Sequence, residues 1–429
     1  MNRKKIKILA EAFRDEVVEL RHHFHKNPET AWQEVETSKK IESLLKEWGF
    51  ENIRRGVRGT PCGVVADLNP RSEGPSIALR ADMDALAIKE ENSVPYVSDR
   101  EGVMHACGHD SHMAILLGTA KVLSFIKDDL PGRVRLIFQP AEEGGSTSEN
   151  YPGAECMIRE GVLDGIDAIA GLHIWSPLKT GFVAVRPGPM MSACDSWTVR
   201  IYGKGGHGAM PQDAVDPTLA ATTFVNLLQT IVSREVDPTE VVVVSVGKLV
   251  SGSAFNIIPD TVEITGTVRT FNPLIQKNMS GMILRIADGV CSALRCRAEL
   301  QYTSFVPPTI NDEELTSRFI GTARNILGED RVQGSSLIMV SEDFSYYQEK
   351  IPGVFFLLGC GNPAKGTDHP HHSPYFNVDD EALSTGVELL AAFAVNFLTG
   401  KTGSEADGSA KGEGRRVTNG RYQGKSESA

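Results

Sequence analysis

Hydrophobic residues recur at helical spacing in the first part of the chain, between residues 11 and 49. Leu20 and Phe24 begin the pattern, which continues over residues 41–48. Such spacing places apolar side chains on one face of a helix. Asn27-Pro28 interrupts the pattern and Gly49 ends it. We therefore expect helical structure here, broken near residue 27.

Short apolar runs alternate with helical patterns farther along the chain. These runs have the length and β-rich composition of buried strands, and they occupy residues 63–68, 76–79, 133–138, 168–172 and 354–358. Strands that alternate with helices predict an α/β fold with a mostly parallel sheet and helices on both faces.

Side chains able to carry chemistry follow several of these predicted strands. Asp82 and Asp84 follow the run 76–79, and Glu142-Glu143 follows 133–138. His173 comes directly after the run 168–172, and the His369–His372 loop follows 354–358. Sites in open α/β sheets form outside the carboxyl ends of the strands. We expect these residues to converge on one crevice.

Between residues 187 and 303 the pattern becomes strand, helix, strand, strand, helix, strand. The predicted segments are 195–202, 216–232, 241–246, 261–270, 273–294 and 298–303. This is the order of a ferredoxin-like unit. Because strands followed by candidate ligands lie on both sides of it, we expect an insertion. The predicted divisions are 1–186 and 304–399 for a catalytic domain, 187–303 for an inserted lid or dimerisation domain, and 400–429 for a disordered tail.

Composition narrows the classes of partner and compartment. A chain of 429 residues is long enough for two domains. Its formal net charge of −11 argues against nucleic acid or a membrane surface as a partner. The 7 cysteines are odd in number and widely spaced, which is not typical of a disulfide framework. The first residues lack the apolar core of a signal peptide, and 382–398 is shorter than a membrane span. We expect a cytoplasmic protein.

The stretch from Met104 to His112 is the most informative part of the sequence, because it holds one thiol and three imidazoles. Cys107 and His109 are spaced for chelation, and such ligands suit Zn²⁺ or a neighbouring transition metal better than Mg²⁺ or Ca²⁺. Either Asp84 or Asp110 could accept the hydrogen bond that fixes a ligand histidine. The alternative is a buried cysteine and solvated histidines at a helix start.

Glu142 and Glu143 lie next to each other after a buried strand. Because neighbouring side chains on extended backbone point in different directions, one carboxylate can bind metal while the other acts as general base. His173 and His372 are weak candidates alone, and their case rests on the whole set.

Glycines surround His207 in the segment 203–208, which formally matches a dinucleotide fingerprint. Pro211 and Pro217 delay any following helix, so we reject that function and expect an exposed turn that presents His207. Asn256 and Arg269 lie in the same predicted unit. Arg269 suits capture of a carboxylate, although an ordinary surface ion pair explains it as well.

Together these segments resemble the co-catalytic metallohydrolase family of aminoacylases and metallo-carboxypeptidases. The resemblance is strongest to its branch of hippurate hydrolases, N-acyl-amino-acid amidohydrolases and plant indole-acetyl-amino-acid hydrolases, and it covers about residues 15–398. The matching segments are Arg21 with His25 and Pro28-Glu29, then 79–86, 105–110, 139–145, 171–173, 205–207, 255–259, 341–344 and 372–374.

The resemblance implies a set of residue roles. Cys107, His109, Glu143, His173 and His372 are the expected ligands of two divalent metal ions, with Glu142 as general base. Asn256 and Arg269 are expected to bind substrate, and His207 to reach the active site of a partner subunit. This implies a homodimer or a larger homo-oligomer formed through the inserted domain.

The expected reaction is hydrolysis of an N-acyl-L-amino acid, a small-molecule substrate, to a carboxylic acid and a free amino acid. Two cations, Zn²⁺ or Mn²⁺ with Co²⁺ and Ni²⁺ also open, lower the pKa of a water whose proton Glu142 accepts. A dipeptidase or carboxypeptidase of the same family is the nearest alternative. Two other classes stay open: a cysteine hydrolase with Cys107 as nucleophile, and a binding protein that has no need of Glu142.

Overall fold

A computed structural model of the chain describes residues 3–57, 59–144 and 152–400. Its helices are α1 (Arg3–Ala12), α2 (Arg14–Lys26), α3 (Val35–Glu47), α4 (His109–Ser124), α5 (Gly153–Arg159), α6 (Pro217–Thr230), α7 (Pro273–Ala293), α8 (Glu313–Leu327), α9 (Ser345–Gln348) and α10 (Glu381–Leu398). The expected early helical region is confirmed, and α2 ends just before Asn27-Pro28 because the residue before a proline disfavours the helical conformation.

The strands alternate with these helices over much of the chain. They are β1 (Glu51–Val57), β2 (Thr60–Leu68), β3 (Ser76–Asp82), β4 (Arg133–Gln139), β5 (Ala168–Lys179), β6 (Val183–Val185), β7 (Gly188–Met191), β8 (Cys194–Tyr202), β9 (Gly206–His207), β10 (Val242–Ser251), β11 (Ile257–Ile258), β12 (Thr261–Thr270), β13 (Arg297–Val306), β14 (Thr309–Asn311), β15 (Val332–Gly334) and β16 (Gly353–Gly361). Every strand predicted from the apolar runs is present.

An 8-stranded sheet in the order β1-β2-β4-β3-β5-β16-β6-β15 forms the centre of the larger unit. Strands β4, β3, β5 and β16 run parallel to one another, while β1 and β2 add an antiparallel edge. The predicted α/β class with a mostly parallel sheet is confirmed.

Helices cover both faces of this sheet. Along β4, Leu136 and Phe138 point into one apolar core together with α4 and α10. Ile137 points to the opposite face, into a core that includes residues of α5 and α9. This alternation is the period of two that a strand imposes on its side chains. Burial on both faces explains why the strands read as continuous apolar runs.

The segment between β8 and β13 forms a second sheet, of 4 strands in the order β10-β12-β8-β13. Helices α6 and α7 pack on it around a separate apolar core that includes Trp197 and Phe224. Both helices have a proline at their first position. The Asp216 side chain accepts hydrogen bonds from the first free amides of α6, and the Asn272 side chain does the same for α7. The element order and the strand order are those of the expected ferredoxin-like unit. Strand β13 runs past the expected boundary at 303, and the domain limits themselves stay a prediction.

Strand β5 is longer than the sequence pattern predicts, since it continues through His173 to Lys179. Its pairing with β3 ends at Arg80 and Gly171, whereas its pairing with β16 continues past Trp175. His173 therefore stands level with the end of β3 while still inside its own strand. His173 ended the apolar run in the sequence, but the hydrogen bonds between β5 and β16 continue beyond it.

Helix α10 is the one helix among the described residues with the length and hydropathy of a membrane span, and 67% of it is buried inside the fold. Packing against α4, α1 and α8 accounts for its apolar character. The predicted disordered tail lies outside the described residues from position 401 onward.

Candidate active site

The candidate site lies where β3 and β4 end, at the carboxyl side of the parallel strands. The loop after β3 carries Asp84, and the loop after β4 carries Glu142 and Glu143. Strand β5 brings His173 to the same level, and the segment after β16 brings His372. Cys107 lies just before α4 and His109 is its first residue, so the expected convergence on one crevice is found.

Donor atoms from these elements form compact groups. Within each group the atoms lie within 4.8 Å of one another, and the groups are Cys107 with His109 and His173, Cys107 with Glu143 and His372, and His109 with Glu142 and Glu143. The Cys107 Sγ lies 3.3 Å from the His173 Nε2. The His372 Nε2 lies 2.8 Å from the Glu143 Oε1. All of the predicted ligands and the predicted base therefore meet in one place.

In His173 and His109 the Nδ1 atom is hydrogen-bonded within the protein, which leaves the Nε2 atom to face a cation. His173 must carry its proton on Nδ1, because that atom lies 2.6 Å from the backbone carbonyl oxygen of Ile174. Its Nε2 is thus left as an electron-pair donor. In His109 the Nδ1 faces the Asp84 Oδ1 at 3.2 Å, and the buried Nε2 has no hydrogen-bond partner among the described residues. Asp84 therefore has the orienting position predicted for it.

Charges around the donor groups also fit cations. Burial opposes protonation of His109, yet the carboxylates of Asp82, Asp84 and Glu143 raise its pKa to about 10. Burial, and then the negative Glu143, raises the pKa of the Cys107 thiol well above its ordinary range. The crevice thus holds an excess of negative groups that positive metal ions would neutralise. Cys107, His109 and Glu143 each belong to two of the three groups, so the groups overlap and could hold more than one divalent ion.

His112 lies in the same segment as Cys107 and His109, but both of its ring nitrogens form hydrogen bonds within the protein. Its Nδ1 lies 2.6 Å from the Asp82 Oδ1, and its Nε2 accepts the amide of Ile174 at 2.9 Å. Both nitrogens are occupied, so His112 supports the site without a free electron pair for a metal.

Glu142 faces a second carboxylate that the sequence did not assign. Carboxylate oxygens of Glu142, Glu342 and Asp343 lie within 4.8 Å of one another. Burial, and then the charges of Glu342, Glu143 and Asp343, raise the pKa of Glu142 well above its ordinary range. Glu342 was seen in sequence only as part of a matching segment, 341–344, without a role.

A buried arginine compensates the carboxylates beside the base. Arg80 donates to the Gln139 Oε1 at 2.9 Å, the Asp82 Oδ2 at 2.7 Å and the Asp343 Oδ1 at 2.8 Å. It also lies 3.1 Å from the Glu342 Oε1. Arg80 could have been identified as a candidate from the sequence because it lies near the end of a predicted strand.

A cavity of about 300 Å³ opens beside these groups. Cys107, Glu142, Glu143, His173, His372 and Glu342 form its polar side. Its apolar side is formed by Trp175, Met191, Phe305, Val306 and Val340. Trp175 lies inside β5 of the first sheet, and Phe305 and Val306 end β13 of the second sheet, so both sheets contribute to the wall. Met191 ends β7, and Val340 lies in the segment before Glu342.

The three predicted residues of the insertion lie apart from this cavity. His207 is exposed on β9, which pairs with β11 next to Asn256. Arg269 lies on β12 and donates to the carbonyl of Val268 at 3.0 Å. In the described part of this single chain, none of them belongs to the cavity wall.

The fold and the donor groups define a metal-dependent hydrolase with an α/β catalytic unit. The profile of Peptidase family M20/M25/M40 matches residues 78–396, and the chain belongs to that family. The resemblance drawn from the sequence motifs is therefore confirmed, and the chain is a metallo-amidohydrolase.

Individual relatives point to closely related reactions. An N-acetyl-L-cysteine deacetylase of Bacillus subtilis (strain 168) is 41% identical over 385 residues, covering 89% of this chain and 88% of the relative. Thermostable carboxypeptidase 2 of Saccharolobus solfataricus is 37% identical over 395 residues, covering 92% and 98%. The crystal structure of the Bacillus subtilis YXEP protein, a dinuclear metal binding peptidase from the M20 family, superposes with a TM-score of 0.78 at 35% identity, covering 91% and 99%.

Proposed function

We propose that the protein hydrolyses the amide bond of N-acyl-L-amino acids, releasing a carboxylic acid and a free amino acid. The convergence of the Cys107, His109 and Glu143 donors around Glu142, beside a partly apolar cavity, carries this proposal. A hydrolase of this kind needs a cation site, a base and a wall that holds the acyl group, and the three lie side by side.

In this proposal Cys107, His109, Glu143, His173 and His372 hold two divalent ions. When bound, the ions would polarise the amide carbonyl and the attacking water. Glu142 accepts the proton of the water and passes it to the leaving amine, a contribution of about 10²- to 10⁴-fold. The mixed sulfur, nitrogen and oxygen donors support Zn²⁺ or Mn²⁺, with Co²⁺ and Ni²⁺ as further candidates.

The apolar wall supports an acyl amino acid over a dipeptide. The side chains of Phe305, Val306 and Val340 offer dispersion contacts to an acyl chain, and the carboxylates that could pair with an ammonium group belong to the polar side of the cavity. A free α-ammonium placed against these apolar side chains would lose its hydration without compensation. The carboxypeptidase relative keeps peptide cleavage as the second candidate function.

Residues of the insertion complete the proposed site. Arg269 and Asn256 would hold the amino acid carboxylate, and His207 would donate to the developing oxyanion. Because His207 is exposed and away from the cavity of its own chain, we propose that it acts in the site of a partner subunit in a homodimer or larger homo-oligomer.

Amine release from N-acetyl and N-benzoyl amino acids and from dipeptides tests the function. The protein would be assayed after loading with Zn²⁺ or Mn²⁺ and again with chelator. We expect chelator-sensitive turnover that favours the acyl amino acids. Preference for dipeptides would select the second candidate. Turnover that survives chelator but not thiol alkylation would select a cysteine hydrolase.

A further inference from the structure

The loop that carries Glu142 and Glu143 has an unusual backbone. Ala141, directly before them, has φ of 54°, in the left-handed region that residues with a Cβ rarely adopt. Ala141 is fully buried. A change at this residue would turn the two following side chains away from the crevice, so something must hold it in place.

Two buried carboxyl groups hold the three consecutive amides of this loop. The Ala141 amide donates to the Glu34 Oε1 at 2.8 Å. The Glu142 and Glu143 amides donate to the two oxygens of Asp84, at 3.1 and 2.9 Å. Glu34 comes from the start of α3, far from this loop in sequence, and its side chain is fully buried.

Glu34 occupies the N-cap position of α3 but does not cap that helix with its side chain. The Thr37 amide, which an N-cap carboxylate would ordinarily bind, donates instead to the Glu29 Oε2 at 2.9 Å. Glu29 thus takes over the capping role and leaves Glu34 free to reach Ala141. The Cys62 thiol is a further side chain that hydrogen-bonds the Glu34 carboxyl group. Glu34 therefore interacts with the loop and with β2, and not with the amides of its own helix.

We propose that Glu34 is a positioning residue for hydrolysis, acting through the Ala141 amide to aim Glu142 and Glu143. This role rests on the proposed function of Glu142 and Glu143. The group needed is a hydrogen-bond acceptor at this distance, and its charge is secondary. Burial, and then the neighbouring Asp84 carboxylate, raises the pKa of Glu34 to about 8, so a neutral side chain of the same shape should replace it.

Four variants separate positioning from folding. Glu34→Gln keeps the acceptor and the length. Glu34→Met keeps the length without the acceptor, and Glu34→Asp keeps a carboxylate that is too short to reach Ala141. Glu29→Met removes a neighbouring buried glutamate whose contacts are the α3 cap and Arg100, and so serves as the control for a purely structural loss.

We expect Glu34→Met and Glu34→Asp to lose about 10²-fold in kcat with little change in KM, the cost of displacing a catalytic group by about 1 Å. Glu34→Gln should keep the wild-type kcat. Glu29→Met should lower the melting temperature without lowering kcat. In metal-free protein, hydrogen exchange of the Ala141–Glu143 amides should be faster in the Met and Asp variants alone.

The exchange readout does not depend on any substrate, so it decides the role of Glu34 even if the acyl amino acids are not turned over. Wild-type exchange and kcat in both the Met and Asp variants would overturn the proposal. An equal kcat loss in folded Glu29→Met or in Glu34→Gln would also overturn it. Failure of both the Met and the Asp variant to fold would assign Glu34 to the stability of the fold instead.

Discussion

Glu142 and Glu143 are neighbours in sequence but meet different surroundings. Glu143 faces His372 at 2.8 Å and belongs to the groups that contain Cys107 and His109. Glu142 faces Glu342 and the Asp343 amide, which lies 3.4 Å from its Oε1. Glu143 therefore faces metal-type donors alone, while Glu142 lies between such donors and an acidic wall of Glu342 and Asp343, in which it is the least buried group.

Substitution of each glutamate should separate these roles. Glu142→Gln should keep the bound metal and lose at least about 10²-fold in kcat, because the amide cannot accept the proton of the water. Glu143→Gln should lower metal affinity, because a neutral amide is a weaker ligand than a carboxylate. Metal content by atomic spectroscopy and kcat at saturating metal measure the two effects.

A metal-replete Glu142→Gln enzyme with wild-type kcat would remove Glu142 from the reaction. Equal metal content in both variants would remove Glu143 from the ligand set.

His25 is a second residue whose surroundings make a prediction, this time on stability. Its Nδ1 lies 2.8 Å from Asp110 and its Nε2 lies 3.1 Å from Glu90. Burial and the nearby Arg21 oppose protonation, but the two carboxylates outweigh them and raise the pKa above the ordinary 6.5. The folded protein therefore binds this proton more tightly than the unfolded chain does.

The sign of the pH effect follows from that direction. The contribution of His25 is fully present below pH 6.5, the unfolded value, and is lost as pH rises through the higher folded pKa. We expect the difference in melting temperature between wild type and His25→Gln to be larger at pH 6 than at pH 9. Thermal scans of metal-loaded protein test this. A difference that is constant with pH would show that folding does not shift the pKa of His25, and a smaller difference at pH 6 would show that His25 is neutral in the fold.

At the scale of elements, the ends of β3 and β4 are tied together by one buried cation. Arg80, near the end of β3, bonds Gln139 at the end of β4 and the carboxylates that precede α9. The parallel pairing of β3 with β4 and β5 fixes where this guanidinium lies. The network joins the acidic wall beside Glu142 to Asp82, which orients His112 at the start of α4.

Removal of this cation should be costly. Arg80→Met leaves several buried carboxylates without a counter-charge, and loss of one partner of a buried ion cluster costs about 3–5 kcal/mol. Arg80→Lys keeps the charge but not the fork geometry, so its loss should be smaller. Urea unfolding of both variants measures the difference. Equal stability of wild type and Arg80→Met would mean that the carboxylates are neutral in the fold.

The elements were largely predictable because their signals are local. Apolar runs located the central strands, and turn residues located the break between α2 and α3. The strand-end rule then placed Glu142 and His173 in one crevice. Strand β5 was predicted too short because its continuation depends on a partner strand, β16, that lies far away in sequence. A single sequence does not record such pairing.

The parts of the site that were missed share the same cause. Arg80, Glu342 and Glu34 act through contacts with segments distant in the chain, and charged residues of these types are usually solvent-exposed. The left-handed Ala141 is not marked by a glycine or asparagine, so no turn signal announces it. Arg80, Glu342, Glu34 and Ala141 are identified only by their burial and by their distances to other residues, and both depend on the fold.

For the whole molecule, the second sheet leaves an apolar surface that the single chain does not cover. Strand β10 is an edge strand of that sheet, and it exposes Leu249 and Val250. Helix α6, on the same unit, exposes Leu219 and Leu227. An open edge strand with apolar side chains favours pairing with another chain. This surface is where we propose that a second copy pairs, and two-fold symmetry would then make the two proposed His207 contacts equivalent.

Subunit complementation tests this arrangement directly. His207→Ala should reduce kcat by about 10²- to 10³-fold if it removes a donor to the oxyanion. Glu142→Gln should be inactive because it lacks the group that accepts the proton of the water. A mixed dimer of the two variants contains one site with an intact Glu142 from one subunit and an intact His207 from the other. Random pairing should therefore restore about a quarter of wild-type activity, since half of the dimers are mixed and each has one complete site.

The mixture would be made by co-expression with two different affinity tags, so that mixed dimers are purified and their activity is measured alone. The two homodimeric variants serve as controls at the same concentration. Recovery in the mixed species places His207 in the partner's site. Purified mixed dimers without recovery would show that His207 acts within its own chain, after a movement of the second sheet toward the cavity. Full activity of His207→Ala alone would remove it from the reaction altogether.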